Sequence, residues 1–322
     1  MKSPNREITK SGNLVSNSIS LSMDALLVID KPAGITSHDA VARARRILSE
    51  RSIGHLGTLD PSATGVLPLL IGRFTRLAQF FSAAEKTYEG TIRLGFATDT
   101  YDSEGDPTGP TAPVNVDLSA IKRSASSFLG EIEQLPPRFS AKKVAGIPAY
   151  KLARKNKEVE LKPVKVRVEW FDVQAIDGDQ VQFTAQVSAG TYVRALAHEL
   201  GIKLGTGAHL AQLRRTASGN FTLEEAVTFE NLQELRAQAD NDGRNLAELL
   251  TSIAIHPRKI LPQFPSVTVN QEIAGLISNG RAVNLPEFSP AKQIKIFATQ
   301  EQLLAIATRI AGTLFQPKVV LR

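Results

Sequence analysis

The chain has 322 residues, of which 42% are hydrophobic and 22% are charged, and it contains no cysteine. This length is sufficient for two domains with a buried core, and the lack of cysteine excludes disulfides, thiolate metal sites and cysteine nucleophiles. No apolar run reaches the length of a membrane span, and residues 1–23 are polar, without the apolar segment of a signal peptide. We therefore expect a protein of the reducing cytoplasm that begins with a disordered extension.

The net charge of +6 and the pI of about 9.5 favour a polyanionic partner. Residues 151–167 contain seven basic and two acidic side chains, whereas residues 224–248 contain two basic and seven acidic ones. This segregation predicts one face that meets phosphate groups and another that avoids them. Lysine-rich strands are also common on solvated surfaces, so the charge distribution alone leaves both interpretations open.

The hydrophobic pattern predicts both strands and helices. Residues 25–37 predict a buried strand that ends in a Pro-Gly turn, and Ser37 is a candidate N-cap for a helix that continues to residue 50. Residues 191–204 predict a helix that Gly205 and Gly207 end, and the acidic residues 223–250 also predict helix. Between these helices at 38–50 and 191–204, the pattern predicts a strand at residues 87–99 and a loop at residues 100–113. A short helix at residues 118–132 and strands at residues 164–176 and 180–189 follow.

The order of these elements is irregular, which indicates an α+β fold rather than an alternating βαβ array. Residues 256–265 have the proline content of a linker, and short β-like runs follow them. We therefore predict a main domain over residues 24–255 and a small β-rich domain over residues 256–322.

The stretch GHLGTLDPSATGVLPLLIG, residues 54–72, contains Asp60, the only acidic residue between Glu50 and Glu85. Asp-Pro pairs are common in turns because the carboxylate accepts hydrogen bonds from nearby backbone, so turn capping is the ordinary role of such a residue. Three arginines flank this aspartate in the sequence, and nearby positive charge lowers the pKa of a carboxyl group. A carboxylate kept ionised in this way would also suit a nucleophile.

Other common catalytic patterns are missing from the sequence. His198-Glu199 begins like a zinc-protease motif, but position 202 is isoleucine, so we predict no bound metal. The chain has no Walker A loop, no G-x-G-x-x-G after a strand and no G-x-S-x-G elbow. Paired carboxylates of the glycosidase kind are not visible around Asp60.

The stretch IGHLGTLDPSATGVLPLLIGRFTRL resembles the catalytic motif of the TruB family, the bacterial tRNA pseudouridine-55 synthases. Further segments match the family in the expected order, over about residues 25–220. They are DKPAGITSHDAV, KTYEGTIRLGFATDTYDSEG, PPRFSAKKVAGIPAYKLAR, SAGTYVRALAHELG and GAHLAQLRR.

The resemblance implies a monomeric enzyme that isomerises uridine-55 in the T-loop of tRNA to pseudouridine without a cofactor. Asp60 matches the family's nucleophilic aspartate, which acts on a base flipped out of its stack. This carboxylate either adds to C6 of the uracil ring or takes part in elimination and re-addition at the ribose, and the sequence leaves both routes open. Arg194 matches the arginine that pairs with the aspartate. By pattern alone, it would be an arginine on the exposed first turn of a helix.

Other matched positions surround the base. Tyr88 matches the active-site tyrosine that stacks on the base, although an isolated tyrosine in a strand usually packs in a core or at an edge. Tyr192 and Leu213 match residues of the base pocket, and without the match Leu213 would be ordinary helix core. His55 matches the histidine associated with opening the T-loop.

Three basic residues are candidate substrate contacts. Lys31 lies in a second short motif that we interpret mainly as structural support behind the site. Arg214 and Arg215, together with the basic stretch 151–167, are candidates for contact with phosphates.

The family fold is a mixed-sheet α+β catalytic domain with an RNA-gripping insertion, here about residues 130–165, followed by a small C-terminal β domain of the PUA kind. Two alternatives to a standalone enzyme remain open. One is a guide-dependent RNA pseudouridine synthase that works inside a ribonucleoprotein, and the other is a chaperone that folds tRNA without catalysis.

Overall fold

The computed structural model describes residues 23–140, 142–144, 146–149, 152 and 161–321. The predicted extension therefore lies outside the described residues except for Met23. Residues 151 and 153–160 of the basic stretch also lie outside them, so the predicted RNA-gripping insertion is described only in part.

The described residues form helices and strands in an irregular order. The α-helices are α1 (Ser37–Leu48), α2 (Leu118–Ser126), α3 (Val193–Leu204), α4 (Phe229–Asp242), α5 (Leu246–Leu250) and α6 (Gln271–Ser278), and 3-10 helices cover Gly72–Phe80, Leu223–Glu225 and Pro257–Lys259. The strands are β1 (Ala25–Lys31), β2 (Ile53–His55), β3 (Thr64–Ile71), β4 (Lys86–Leu94), β5 (Gly130–Gln134), β6 (Lys143–Val144), β7 (Ile147–Pro148), β8 (Val164–Asp177), β9 (Gln180–Val187), β10 (Ala208–Ser218), β11 (Phe221–Thr222), β12 (Ala226–Val227), β13 (Ser266–Thr268), β14 (Val283–Asn284), β15 (Gln293–Phe297), β16 (Leu303–Ala311) and β17 (Leu314–Val320). No α-helix in the described ranges is long and apolar enough to cross a bilayer.

A large sheet carries the elements on which the family resemblance rests. Its strand order is β12-β1-β3-β10-β4-β9-β8-β5, with β2 added to β3 and β11 added to β10. The β1–β12 and β3–β10 pairs are parallel, whereas the other pairs in this sheet are antiparallel. The prediction of an α+β fold with a mixed sheet is therefore confirmed.

One face of the large sheet is covered by helices. In β9, every second side chain is buried, as expected for a strand with one face in the core and the other toward solvent. Helices α1, α2 and α3 bury their apolar faces in the same core cluster as these strand residues. Gly201 of α3 permits close contact with β10, because an added Cβ atom there would lie 2.2 Å from the backbone nitrogen of Ala208.

A second sheet follows in the order β13-β15-β16-β17-β14. Its small core includes Ile294, Ala305 and Phe315. Another cluster joins the two sheets, because Leu26 and Val28 of β1 pack with residues of the second sheet. These partners are Phe297, Leu303, Ile306 and Val319. The β-rich character of the C-terminal region is thus confirmed, while the boundary near residue 255 stays a prediction.

Several local expectations differ from the structure. Thr36, not Ser37, caps α1 through a capping box with Asp39, which leaves the Ser37 hydroxyl free to bond elsewhere. Leu213 lies in strand β10 rather than in a helix, because Gly205 ends α3 at a φ of +70° and the chain then pairs with β4. The acidic segment 223–250 also divides into a 3-10 turn, β12, α4 and α5.

Candidate active site

The loop around Asp60 is held by side chains that bond its backbone. The Ser37 hydroxyl accepts a hydrogen bond from Leu59 N at 2.8 Å and donates to Leu59 O at 3.1 Å. On the other side of Asp60, Lys31 Nζ donates to Pro61 O at 3.2 Å. Because the residues before and after the aspartate are both anchored, the carboxylate projects from a constrained turn.

Arg215 is buried and bonds the backbone of this loop, an arrangement that favours support of the loop, and its contact with phosphate stays a prediction. Only 1% of Arg215 is exposed. Its guanidinium donates to Gly57 O at 3.1 Å, Thr58 O at 3.4 Å and Val66 O at 2.7 Å. A buried guanidinium needs several acceptors to offset its desolvation, and these carbonyls provide them.

Lys31 is fully buried, and the structure favours its supporting role over contact with substrate. Besides Pro61 O, its Nζ donates to Pro32 O and Ile35 O, both at 2.8 Å. Burial lowers the pKa of Lys31 to about 8, against the opposing effect of the Asp60 carboxylate. Its ammonium group is enclosed by these carbonyls, and contact of Lys31 with substrate stays a prediction.

Arg194 and Asp60 come from distant parts of the sequence and form a bidentate ion pair. Arg194 Nε lies 2.8 Å from Asp60 Oδ2, and Nη2 lies 3.1 Å from Oδ1. The Arg194 side chain is 6% exposed and that of Asp60 is 37% exposed. The arginine is therefore not the exposed residue that its place on the first turn of α3 suggests, and the carboxylate keeps an open side.

A second carboxylate, Asp102, completes the surroundings of Arg194. Arg194 Nη1 lies 3.1 Å from Asp102 Oδ2 and donates to Thr100 O at 3.0 Å, while Nη2 also donates to Phe139 O at 3.1 Å. Sequence reasoning assigns no role to Asp102, although this residue lies in the family segment TYDSEG. Its position in that segment is the signal that would have found it.

The pKa of Asp60 is raised above the usual aspartate value, mainly by burial. Arg194 and Lys31 oppose this rise, and Asp102 adds to it by like-charge repulsion. The expectation that flanking arginines lower the pKa is therefore wrong in sign. Burial of the carboxyl group outweighs the attraction of the cations.

A cleft opens beside the Asp60 carboxylate. In addition to the Asp60–Arg194–Asp102 cluster, it is lined by Ser62, Ala63, Leu210, Ala211, Gln212 and Leu213. Its free space is only about that of one water molecule. Leu213 is thus brought to Asp60 as predicted, while the other lining residues were not singled out from the sequence.

The remaining predicted residues lie around this cluster at different depths. Tyr88 is 7% exposed, and it lies in β4 opposite Arg215. Tyr192 immediately precedes α3, where its backbone exchanges two hydrogen bonds with the Gln134 side chain. His55 lies at the end of β2 in an edge-on contact with His38, and burial lowers the pKa of His55.

Arg214 follows Leu213 in β10 and therefore projects from the opposite face of the strand. Its Nη1 and Nη2 atoms lie 3.0 and 2.7 Å from the two carboxylate oxygens of Asp30. Contact of Arg214 with phosphate stays a prediction, but a carboxylate already occupies the fork of the guanidinium.

Among the described residues, no group of His, Asp and Glu side chains is arranged to hold a metal ion. The predictions of no metal, no cofactor and a monomer are not tested by these observations.

Comparison with known proteins identifies relatives over nearly the whole chain. Residues 45–193 match the N-terminal domain of the TruB family pseudouridylate synthases, and residues 194–254 match the C-terminal domain of tRNA pseudouridylate synthase B. The chain is 45% identical to the tRNA pseudouridine synthase B of Solibacter usitatus over 302 residues, which cover 93% of this chain and 100% of that protein. It is 46% identical to the protein of the same name from Geobacter sulfurreducens over 230 residues, 71% of this chain and 74% of the relative.

Solved structures share the fold at lower identity. A Cbf5-Nop10-Gar1 complex contains a chain that is 27% identical, with a TM-score of 0.69 over 93% of this chain and 85% of that one. An H/ACA RNP bound to a substrate RNA containing 2′-deoxyuridine contains a chain that is 26% identical, with a TM-score of 0.68 over 92% of this chain and 85% of that one.

Proposed function

The chain belongs to the TruB family of pseudouridylate synthases, and from this membership we propose that it converts uridine-55 in the T-loop of tRNA to pseudouridine, with Asp60 as the nucleophile. The names of its relatives already support the broader statement that the chain is a tRNA pseudouridine synthase, an isomerase that acts on tRNA. The observation that carries the finer proposal is the Asp60 carboxylate, which is bound by Arg194 on one side and open to a cleft on the other.

The reaction breaks the bond between C1′ of the ribose and N1 of uracil, and it forms a bond between C1′ and C5. The hydrogen at C5 leaves as a proton, and N1 gains a proton, so no electrons are exchanged with another molecule. In one route the Asp60 carboxylate adds to C6 of the ring, and in the other it assists elimination and re-addition at the ribose. Both routes need an ionised carboxylate close to the nucleoside.

Arg194 supports this chemistry in two ways. Its positive charge favours the ionised form of Asp60 against the effect of burial, and its two nitrogen contacts fix the plane of the carboxylate. Asp102 and two carbonyls hold the guanidinium in turn. We assign Arg194 to orientation and charge control rather than to proton transfer, because an arginine keeps its proton in proteins.

The target base has to leave its stack before it reaches Asp60. Free space for about one water molecule beside the carboxylate is too small for a uracil ring, so the cleft has to widen when tRNA binds. We propose that Leu213 and the rings of Tyr88 and Tyr192 enclose the flipped base, and that His55 acts where the T-loop is opened. These contacts would offset the free energy of unstacking.

Two observations weigh against the alternatives. The tRNA pseudouridine synthase B proteins of Solibacter usitatus and Geobacter sulfurreducens share 45% and 46% identity with this chain, whereas the chains from the ribonucleoprotein and Cbf5 structures share 26% and 27%. This difference favours a standalone enzyme over a guide-dependent one. A chaperone without catalysis would not need a bidentate guanidinium on a carboxylate that faces a cleft.

The test is tritium release from an unmodified tRNA transcript labelled at uracil C5, with purified protein and without added guide RNA or metal. We expect release from the wild type and none from Asp60→Asn, which keeps the shape of the side chain but removes its charge. A second transcript with cytidine at position 55 should release nothing. Lack of release by the wild type, or release by the Asp60→Asn protein at the wild-type rate, would contradict the proposal.

A further inference from the structure

Besides the contacts of Arg194 with Thr100 and Asp102, a second contact joins helix α3 to the loop at residues 100–102. The ring of Tyr101 stacks on that of His198, with centroids 3.8 Å apart and planes inclined by 11°. His198 follows Arg194 by four residues in α3, so the two side chains leave the same face of the helix. Tyr101 lies between Thr100 and Asp102, which both bind Nη1 of Arg194. The helix and the loop therefore meet twice, through the guanidinium and through the rings.

Tyr101 has an unusual backbone conformation that shapes this loop. Its φ is +66°, in the left-handed region that residues other than glycine rarely adopt. Its carbonyl accepts a hydrogen bond from Leu210 N at 2.9 Å, which ties the loop to β10. A strained residue persists only where its surroundings determine it, and the stack on His198 connects the Tyr101 side chain to α3.

The His198 ring contributes by packing rather than by hydrogen bonding. Its Nδ1 atom is buried and has no hydrogen-bond partner among the described residues. Burial lowers the pKa of His198, so the ring is neutral near pH 7. Neither Tyr101 nor His198 is among the residues that line the cleft beside Asp60.

We infer that Tyr101 and His198 are positioning residues, whose stacked rings lock the loop at residues 100–102 onto α3 so that Thr100 and Asp102 hold Arg194 in the plane of the Asp60 carboxylate. This role rests on the proposed function, because it acts through the Asp60–Arg194 pair. It implies that loss of the stack slows turnover without weakening the binding of tRNA.

Three single variants distinguish the effect of the Tyr101 ring from the effect of the backbone conformation at Tyr101. Tyr101→Phe keeps the ring, Tyr101→Gly adopts the positive φ without strain but removes the ring, and His198→Leu removes the stacking partner. We expect Tyr101→Phe to stay within about twofold of the wild type in kcat and KM. Tyr101→Gly and His198→Leu should lower kcat by about tenfold or more and change KM less than about twofold, because small displacements of a catalytic pair are costly.

The double variant Tyr101→Gly/His198→Leu should be about as slow as the slower single variant, because both changes remove one contact. A double variant that shows the product of the two separate losses would overturn the inference. So would an unchanged kcat in both single variants. A rise in KM at constant kcat would overturn it too, since that result would assign the rings to RNA binding.

His198→Phe distinguishes positioning from a general loss of folding. This variant restores an aromatic face, so its kcat should recover most of the loss seen in His198→Leu. The melting temperature of each variant is measured by circular dichroism. If His198→Phe melts at the same temperature as the wild type but does not recover kcat, the positioning role of the stack is refuted. Wild type and Asp60→Asn are run in the same assay. Inactive wild type would contradict the proposed function itself, whereas an inactive Asp60→Asn with a fully active Tyr101→Gly would overturn the positioning role alone.

Discussion

Arg194 binds both carboxylate oxygens of Asp60, with Nε 2.8 Å from Oδ2 and Nη2 3.1 Å from Oδ1. The third nitrogen, Nη1, faces Asp102 at 3.1 Å. One planar cation thus bridges the carboxylates of Asp60 and Asp102, which lie 42 positions apart in the chain. Only a guanidinium supplies this fork of donors, because a lysine ammonium is a single point charge.

Replacing Arg194 by lysine should therefore remove catalysis although the charge is retained. We expect kcat in the tritium-release assay to fall by about a hundredfold or more, because the plane of the Asp60 carboxylate is no longer fixed. The Kd for tRNA, measured by filter binding, should change less than about threefold. The matched control is Arg236→Lys, which alters an exposed ion pair with Asp240 in α4 and should leave both quantities unchanged. Equal losses in kcat and affinity for Arg194→Lys would show that this residue contacts RNA.

The pH dependence of kcat/KM should follow the ionisation of Asp60. Burial raises the pKa of this carboxyl group from the ordinary value of 3.8, and the nucleophile has to be ionised. Activity should therefore be lost as the pH falls through a value above 3.8. Asp102→Asn removes a like charge that raises the pKa of Asp60, so the acid limb of the profile should move to lower pH. A limb that stays in place or moves to higher pH would contradict this account, whatever the height of the profile.

Gly65 should tolerate no side chain, because β3 passes directly beside Arg215. An added Cβ atom at Gly65 would lie 2.2 Å from Arg215 O, and the φ of this glycine is +102°. Gly190 has a similar φ of +87° but no atom within 4 Å of its added Cβ. Urea unfolding should show that Gly65→Ala lowers the free energy of unfolding by about 3 kcal/mol or more, and Gly190→Ala by about 1 kcal/mol. Similar losses at both positions would show that backbone conformation, not the contact with Arg215, sets the requirement.

The salt dependence of tRNA binding should distinguish a basic side chain that is already paired with a carboxylate from one that is exposed for contact with phosphate. Arg214→Gln is expected to reduce the slope of log Kd against log salt concentration by less than Lys162→Gln does, because Asp30 already binds both terminal nitrogens of Arg214. Lys162 is exposed within the basic stretch, just before β8, and Lys162→Gln should reduce the slope by about one. A larger reduction of the slope by Arg214→Gln than by Lys162→Gln would indicate that the phosphate backbone contacts β10 rather than the segment before β8.

Strand periodicity and helix stop signals could be predicted from the sequence because they are local. The alternation in residues 180–189 predicts β9, and Gly205 ends α3 where it was expected. Leu213 was assigned to the wrong element, since its place in β10 depends on pairing with β4, more than a hundred residues away in the chain. A pattern within one segment carries no information about such a partner.

The arrangement of the site could be predicted in part, and the features that the sequence does not show have a common physical cause. The pairing of Asp60 with Arg194 follows from the family motifs, and the structure brings these two residues together. Burial, however, cannot be read from a motif, so the sequence does not show that Arg215 and Lys31 are enclosed and bond the loop backbone. The sign of the pKa shift at Asp60 was wrong for the same reason, because desolvation outweighs the charges visible in the sequence.

The apolar cluster between the two sheets limits what deletion experiments can reveal. Leu26 and Val28 of the large sheet are covered by Phe297 and Ile306 from the C-terminal region. A protein truncated near residue 255 would expose these β1 side chains to water and invite aggregation. Inactivity of such a fragment would then report a damaged scaffold, and the contribution of the C-terminal region to tRNA recognition is better measured by point changes on its solvent-facing surface.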